Sequence, residues 1–417
     1  MKKFIFVSLI FIVNQVNVFA QDSALLNLDA ILKQMELNYP SILTYQQNAQ
    51  SWQAKAEGSK SWMPPTFSSG LMQFPYDFSM INEKDDPMNQ AGVVFSFEQM
   101  IPNSSKLNAN RQYYNSLAEV ENSKSQWTIN ALHKDAKTLY YLRYINEKKQ
   151  QIISESEEIL KLLISTAEVR FSNNQSQLQT IYKAKARLAE LKNMNIMLAG
   201  NISESSIGLN ILMARNVNTK FDIDTMIQPH KYALSDYDSN LISNRSDIDA
   251  MSKSIQSMKL EEQVMRIGTR PDFGIRAEHA EMFGMPNQWS LMGMITLPIV
   301  PWSSKMYSSE VKSIGFKVQS MEFEKQQMQL MAQKMIAEKL SMLNYGYMQY
   351  ENYVNEIIPA FDNNLQANLR AYNQNTGDLF ELLDAWEMLL MKQIEMYGQL
   401  FSILKLEAEY EYEIQLK

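Results

Sequence analysis

Methionines crowd one short segment of the chain and supply side chains suited to soft metal ions. The segment EMFGMPNQWSLMGM carries Met282, Met285, Met292 and Met294, in a chain that uses methionine 28 times. Thioether sulfur is a ligand that favours Cu(I), and Ag(I) shares the same soft chemistry. The residues Met282, Met292 and Met294 are therefore candidates for transient contacts with such an ion.

A second interpretation of the methionines stays open. Methionine is also a flexible apolar residue that fills irregular gaps in protein interiors. It recurs along a later stretch without proline, at Met321, Met328, Met331 and Met335, where packing explains it better. Composition alone does not separate the two interpretations.

No set of residues in the sequence is typical of an enzyme. The histidines His133, His230 and His279 are far apart, and a strand would place His279 and Glu278 on opposite faces. The motifs of zinc proteases, P-loop proteins, dinucleotide-binding proteins and serine hydrolases do not occur. The chain has no cysteine, which excludes disulfides and thiol catalysis. We expect no catalysis and no cofactor.

Charge and the amino terminus restrict where the protein works. The net charge of −7 gives no basic footprint for nucleic acid. Residues 1–20 read as a signal peptide, with Lys2 and Lys3 before a short apolar run and cleavage expected after Ala20. The apolar run is too short to span a bilayer. We therefore expect export from the cytoplasm of a bacterium.

The periodicity of the first half predicts short strands followed by very long helices. Residues 66–100 predict a strand hairpin, whose second strand alternates in GVVFSFEQM. From Ser104 to about Arg170 there is neither proline nor glycine, so a helix of about 100 Å is expected. A second helix follows from about Leu178 to Ala214, with an apolar heptad seam typical of a coiled coil.

The second half repeats this order. Residues 272–298 predict another strand hairpin, a helix then extends to about Tyr372, and a last helix covers Leu379–Tyr412. On one face of the second strand lie Trp289, Leu291, Ile295 and Leu297, and on the other Ser290, Met292, Met294 and Thr296. The first face suits lipid and the second a polar lumen.

Two short motifs mark equivalent points of the two halves. IPNSSKL (Ile101–Leu107) and VPWSSKM (Val300–Met306) each follow a strand and open a long helix, for which Ser104 and Ser303 are the expected N-caps. An internal duplication is therefore predicted. The expected divisions are 1–20 for the signal, 21–215 for the first repeat, 216–240 for a connector and 241–417 for the second repeat.

Four strands cannot close a barrel, because a small barrel needs about eight. Three copies of the chain supply twelve. The expected fold is mainly α-helical with a small β part: antiparallel coiled-coil hairpins form an α-barrel, and four strands per protomer contribute to a trimeric transmembrane β-barrel. A barrel joined to a tube of helices is a conduit.

The chain resembles the TolC-type outer-membrane efflux proteins over essentially its whole mature length. The resemblance is carried by NYPSI, PPTF and RPDF, by the two motifs that open the long helices, and by YNQNTGDLFELLDA (Tyr372–Ala385). The phrase AEHAEMFGMPNQWSLMGM resembles the heavy-metal branch of that family. The family implies a homotrimer in outer-membrane lipid that works with a periplasmic adaptor and an inner-membrane RND-type pump.

The resemblance also implies roles for particular residues. Glu381 and Asp384 fall where relatives place acidic residues at the pore constriction; the alternative is a solvated helix face. The hairpin ends, where the adaptor is expected to dock, contain Phe171, Asn174, Tyr372, Asn375 and Gly377. Thr180 and Gly377 replace a charged pair that latches some relatives, so closure is expected to use other contacts.

The cargo stays open at this point. Export of cations such as Cu(I) or Ag(I) is the first expectation. Export of drugs or other small molecules, or a role as the outer-membrane channel of type I secretion, are alternatives. A periplasmic adaptor is a remote alternative, because an adaptor has one helical hairpin between β-domains.

Overall fold

Two long helical hairpins share one four-stranded sheet in the computed structural model of this protein. The structure describes residues 24–82, 89–172, 178–224, 227–232, 242, 245–298 and 300–415. The predicted signal peptide and Asn174 lie outside these residues. The order helix, strand, strand, long helix, returning helix occurs twice along the chain.

The strands and helices follow the predicted order closely. The strands are β1 (Ala24–Leu26), β2 (Thr66–Met72), β3 (Gly92–Ile101), β4 (Phe221–Ile223), β5 (Asp272–Met282) and β6 (Gln288–Thr296). The helices are α1 (Leu28–Asn38), α2 (Pro40–Gly58), α3 (Ser104–Ser172), α4 (Leu178–Leu212), α5 (Ser246–Gly268), α6 (Pro301–Asn352), α7 (Ile358–Asn373) and α8 (Leu379–Ile414).

The main sheet joins the two halves through its central strands. Its order is β2-β3-β5-β6, and every neighbouring pair is antiparallel. The pairing of β3 with β5 brings the two strand hairpins together, and β2 and β6 form the two edges. The long helices α3 and α6 begin at the same end of the sheet, because β3 and β6 both end there.

The helix α3 has 69 residues, about 100 Å at 1.5 Å per residue, as predicted. It packs antiparallel to α4 along the predicted heptad seam, in which Ile181, Leu191 and Leu198 are buried. The polar seam residue Asn195 accepts a hydrogen bond of 2.8 Å from Gln150 of α3. A polar group in the seam is thus satisfied across the hairpin and fixes its register.

The long helix of the second half reaches the predicted end near Tyr372, but it contains a turn that was not predicted. It does not run unbroken to Tyr372, because a π-helical turn at Tyr353–Ile357 separates α6 from α7. The cause is Pro359, which lacks an N–H and crowds the preceding turn of an α-helix. The wider turn lets the Ile358 N–H bond to the Tyr353 carbonyl and carries the chain past the proline.

The predicted helix caps were wrong. Ser104 is the first helical residue of α3, and the Asn103 side chain accepts a hydrogen bond of 3.0 Å from the Ser105 N–H in its place. The helix α6 begins at Pro301 without a side-chain cap, and the Ser303 hydroxyl donates to the Val300 carbonyl. Proline suits the first helical position because that N–H has no partner within the helix.

A small parallel sheet lies beside the middle of the hairpins, and the sequence analysis did not predict it. Strand β1 pairs with β4, which lies within the segment predicted as a connector. Both strands have three residues, too short for an alternating pattern to be recognised. Phe221 and Ile223 are buried against α3 and α8, so this part of the connector is packed against the helices.

None of the helices that the structure describes combines enough length with enough apolar character to cross a membrane.

Candidate functional site

One face of the main sheet is apolar and uncovered. The register places Phe95 beside His279 and His279 beside Trp289, all on this face. Trp289 is 79% exposed and Phe67 is 68% exposed. The apolar face consists of Phe67, Leu71, Phe95, Phe97, Phe273, Ile275, Trp289, Leu291 and Ile295. So large an apolar surface marks contact with a partner or a lipid phase.

The opposite face is polar and carries a connected set of charges. Arg276 of β5 lies between Glu98 of β3 and Met292 of β6 in the register. Its guanidinium donates to Glu98 at 2.5 and 3.0 Å and lies 3.7 Å from Glu278. Ser290 donates to Glu278 at 3.4 Å. The predicted division of β6 into an apolar and a polar face is confirmed, and His279 and Glu278 of β5 lie on opposite faces, as expected.

The predicted methionine set divides into two places. Met292 and Met294 lie two residues apart on the polar face of β6, opposite Arg276 and Gly274. Met282 pairs with Gly92 at the other end of β5, eight residues or about 27 Å from Gly274. It is also buried, with its sulfur packed on Gly92. Met282 therefore does not join the other two methionines in one site.

A methionine that the sequence analysis did not single out takes the place of Met282. Met100 of β3 lies opposite Gly274, so Met100, Gly274 and Met294 form one row across three strands. Alternation along β3 places Met100 on the same face as Ser96 and Glu98. The alternation along β3 could be recognised in the sequence, but the pairing of β3 with β5 could not.

The acidic pair proposed for the constriction lies in the first two turns of α8. Glu381 is exposed and Asp384 is half-buried, and their spacing of three residues places them on one side of the helix. Leu382, Leu383 and Trp386 on the opposite side are buried in the core that joins the two hairpins. Among the described residues, neither carboxylate has an ion-pair partner. Both acids are thus held on a rigid helix and face away from the protomer's own core.

The tight turn before α8 depends on the backbone conformation of Asn375. Its φ angle of 58° is left-handed, a conformation that asparagine tolerates better than most residues. The Asn375 N–H bonds to the Tyr372 carbonyl at 3.2 Å, and the Gly377 N–H bonds to the Ala371 carbonyl at 3.1 Å. A side chain at Gly377 would meet Ala371 at 2.9 Å, so glycine is needed there for a close approach.

The aromatic residues of the two hairpin ends have different surroundings. Phe171 is exposed, whereas Tyr372 is only 4% exposed. The Arg170 guanidinium stacks 4.0 Å from the Tyr372 ring and donates to its carbonyl at 3.1 Å. Burial raises the pKa of the Tyr372 hydroxyl. In this chain Tyr372 joins the hairpins, and Phe171, Asn375 and Gly377 form the accessible surface of the ends.

Two further contacts hold the hairpins together near their ends. The Lys183 ammonium lies 3.6 Å from the centre of the Phe380 ring, and Arg187 pairs with Glu387 at 2.8 Å. Both contacts connect α4 to α8. Thr180, near the start of α4, is buried.

Among the described residues, no group of three or more histidine or acidic side chains is placed to hold a metal ion. Methionine sulfur is not one of these ligand types, and Met100, Met292 and Met294 supply it on the polar face of the sheet.

Comparison with solved structures finds the same fold in outer-membrane channels. The chain aligns over 93% of its length with 91% of CusC, a transmembrane channel, at 12% identity and a TM-score of 0.77. It aligns over 93% with 95% of the outer-membrane protein VceC from Vibrio cholerae, at 14% identity and a TM-score of 0.74. The outer-membrane channel CmeC from Campylobacter jejuni is similar at 13% identity over 85% of its chain, with a TM-score of 0.72.

At the level of sequence, no protein-family model matches the chain, and neither does any curated protein. The resemblance to TolC-type outer-membrane efflux proteins is confirmed as a likeness of fold over nearly the whole chain. The chain has the fold of an outer-membrane channel, and its solved structural neighbours are channels rather than enzymes.

Proposed function

We propose that this protein is the outer-membrane exit duct of a tripartite efflux system. Three copies place their sheets side by side as a twelve-stranded barrel in the outer membrane, and their helices extend into the periplasm as one tube. The duct is passive, and an inner-membrane RND-type pump supplies the energy through a periplasmic adaptor. The repeated order of elements arose by internal duplication.

The uncovered apolar face of the sheet is the observation that supports this proposal most. Nine large apolar side chains lie on that face, while Arg276, Glu98 and Glu278 lie on the other. A sheet with an apolar outer face and a polar inner face is typical of membrane barrels. Its edge strands β2 and β6 pair on one side only within the described chain. Pairing of these edges between copies closes the barrel.

The hairpin ends opposite the sheet are the proposed docking surface for the adaptor. They present Phe171, Asn375 and Gly377 about 100 Å from the sheet, at the length set by α3. Three copies of Glu381 and Asp384 ring the aperture there. Their hydration and mutual repulsion hold the aperture narrow and favour cations, and adaptor docking widens it.

The proposed cargo is a soft metal cation such as Cu(I) or Ag(I). This is supported by thioether sulfurs on the polar face of the sheet, beside Arg276 and Glu98. Export of small organic molecules is the second candidate. It is favoured by the ion-paired Arg276 and Glu98 on the same face, which offer hydrogen-bonding groups to an organic cargo.

Membrane extraction and channel recording test the duct. A barrel protein stays in the membrane after a carbonate wash, and the purified protein should conduct ions in a planar bilayer. Release by carbonate together with absence of conductance would reject the proposal in favour of a soluble coiled coil or an adaptor.

Growth tests identify the cargo. Deletion of the gene should sensitise the bacterium to copper and silver, and the wild-type gene should restore growth. Zinc, cobalt and a panel of drugs serve as comparisons. Sensitivity confined to drugs would overturn metal export while leaving the duct intact. Unchanged copper and silver tolerance in a Met292→Ala/Met294→Ala strain would argue against a route over these methionines.

A further inference from the structure

The polar face of the sheet contains a row in which two methionines flank a glycine. We propose that Met100 and Met294 bind one Cu(I) or Ag(I) ion above Gly274, with Met292 as a third thioether ligand. The proposal deepens the proposed export of soft cations and rests on it for its biological role. The binding itself is a property of one protomer.

The strand register brings these residues together. Met100 of β3 and Met294 of β6 are both direct neighbours of Gly274, one on each side of β5. Neighbouring strands lie about 4.8 Å apart, so two methionines separated by one strand lie within reach of each other. Met292 lies two residues before Met294 on the same face, in the next row.

Gly274 leaves the space that lets the two thioethers approach. A Cβ atom added there would lie 2.7 Å from the Met100 sulfur and 3.0 Å from the Met294 methyl carbon. Both side chains therefore already bend over the glycine from opposite sides. Any larger residue in the middle of the row would keep them apart.

The environment favours binding over packing as the role of these side chains. Met100 and Met294 are half-buried, and Met292 is 40% exposed beside Arg276. Side chains that are only partly buried gain less from packing than fully buried ones, and their exposed part can be reached by an ion. The positive charge of Arg276 is balanced by Glu98 and Glu278, so it does not repel a cation in the next row.

The position of the site suits the proposed direction of transport. Met100 is the last residue but one of β3, and Gly274 is the third residue of β5. Both lie at the end of the sheet from which α3 and α6 begin. An ion that leaves the helical tube reaches these thioethers as it enters the sheet region.

The test is titration of the purified full-length protein in detergent with Ag(I), which does not change oxidation state during the measurement. Methionine labelled with ¹³C in its methyl group gives one NMR signal per residue. The signals that shift at the lowest Ag(I) concentration should be those of Met100 and Met294. Each is identified by its absence from the spectrum of the Met100→Leu or Met294→Leu variant. The affinity of this first site should fall in both variants, since leucine keeps the volume without the sulfur.

A pair of glycine variants separates the site from general effects on the sheet. Gly274→Ala places a methyl group between the thioethers and should weaken Ag(I) binding by about 10- to 100-fold, as changes that displace metal ligands do. Gly293→Ala is the matched control, because a Cβ there meets no atom within 4 Å and lies on the opposite face. It should bind Ag(I) as the wild type does.

The outcomes separate this site from the proposed function. Equal Ag(I) affinity in wild type, Met100→Leu/Met294→Leu and Gly274→Ala would overturn the site, even if deletion of the gene causes silver sensitivity. Loss of binding in these variants with unaltered silver tolerance of the deletion strain would support the site and reject metal export. A first-shifting signal from Met342 or Met348 of α6 would also overturn it.

Discussion

The carboxyl group of Glu407 gives the middle of the second hairpin a dependence on pH that one substitution should remove. Glu407 lies on α8 and is only 5% exposed. It accepts a hydrogen bond of 2.7 Å from the Tyr347 hydroxyl of α6, and Tyr347 also contacts the His230 carbonyl of the connector. The charged groups nearest to it are Glu411 of α8 and Lys137 of α3.

Burial raises the pKa of Glu407 from its ordinary value of 4.5 to about 7, and the negative charge of Glu411 adds to the shift. Since the pKa is higher in the folded state, the protonated carboxyl favours folding. This contribution is complete below about pH 4.5 and is lost as the pH rises through about 7. This difference in pKa lowers the free energy of unfolding by about 3 kcal/mol between pH 4.5 and pH 8.

The variant Glu407→Gln stays neutral at every pH and keeps an oxygen for the Tyr347 hydroxyl. We expect its free energy of unfolding to match that of the wild type near pH 5 and to exceed it at pH 8 by up to about 3 kcal/mol. For a cooperative unit of about 400 residues, that corresponds to a thermal midpoint about 4 °C higher. Helical circular dichroism in detergent, followed from pH 5 to 8.5, measures this difference.

The matched control is Glu324→Gln, because Glu324 lies on α6 with an exposed side chain. It should leave the thermal midpoint unchanged relative to the wild type at every pH. If Glu407→Gln and the wild type keep the same difference in midpoint at pH 5 and pH 8, the argument from burial is refuted. A variant that is less stable at pH 8 would mean that the ionised carboxylate is stabilising.

Three other predictions concern the hairpin ends. Asn375→Ala should cost about 1 kcal/mol in thermal unfolding because of the left-handed backbone, whereas Asn375→Gly should be close to neutral; equal costs would contradict the backbone argument. Neutralising Glu381 and Asp384 together should raise single-channel conductance or reduce cation selectivity, and no change in either would reject the acidic ring. Arg187→Ala removes half-exposed ion pairs with Glu387 and Glu190, each worth up to about 1 kcal/mol, so the cost in thermal unfolding should be no more than about 2 kcal/mol; a loss above this would contradict the argument from exposure, and Arg187→Lys should recover part of it.

Much of the fold followed from local sequence patterns. The absence of proline and glycine after Ser104 predicted a helix of about 100 Å, and α3 has this length. Alternation in β6 predicted its two faces, which the register confirms. The errors lie where local signals are short or compete: the three-residue strands β1 and β4, the π-helical turn before Pro359, and the caps of α3 and α6. The repeat boundaries and the signal cleavage after Ala20 stay predictions.

The candidate sites depended more on pairing between distant segments. Alternation along β6 placed Met292 and Met294 on the polar face. Alternation within one strand does not show which strands pair with it. The β3–β5 register brought Met100 to Gly274 and left Met282 at the far end of β5. Tyr372 reads in sequence as part of an exposed turn, yet Arg170, some 200 residues earlier, covers its ring.

The sequence by itself determined the elements of this protein: long helices where breakers are absent, amphipathic strands where polar and apolar residues alternate, and a tight turn where Asn375 and Gly377 occur. Each of these depends on residues close together in the chain. Only the tertiary structure decided which side chains meet, such as Met100 with Met294 and Tyr347 with Glu407. Those contacts join segments far apart in sequence, and their geometry is set by strand register and helix packing.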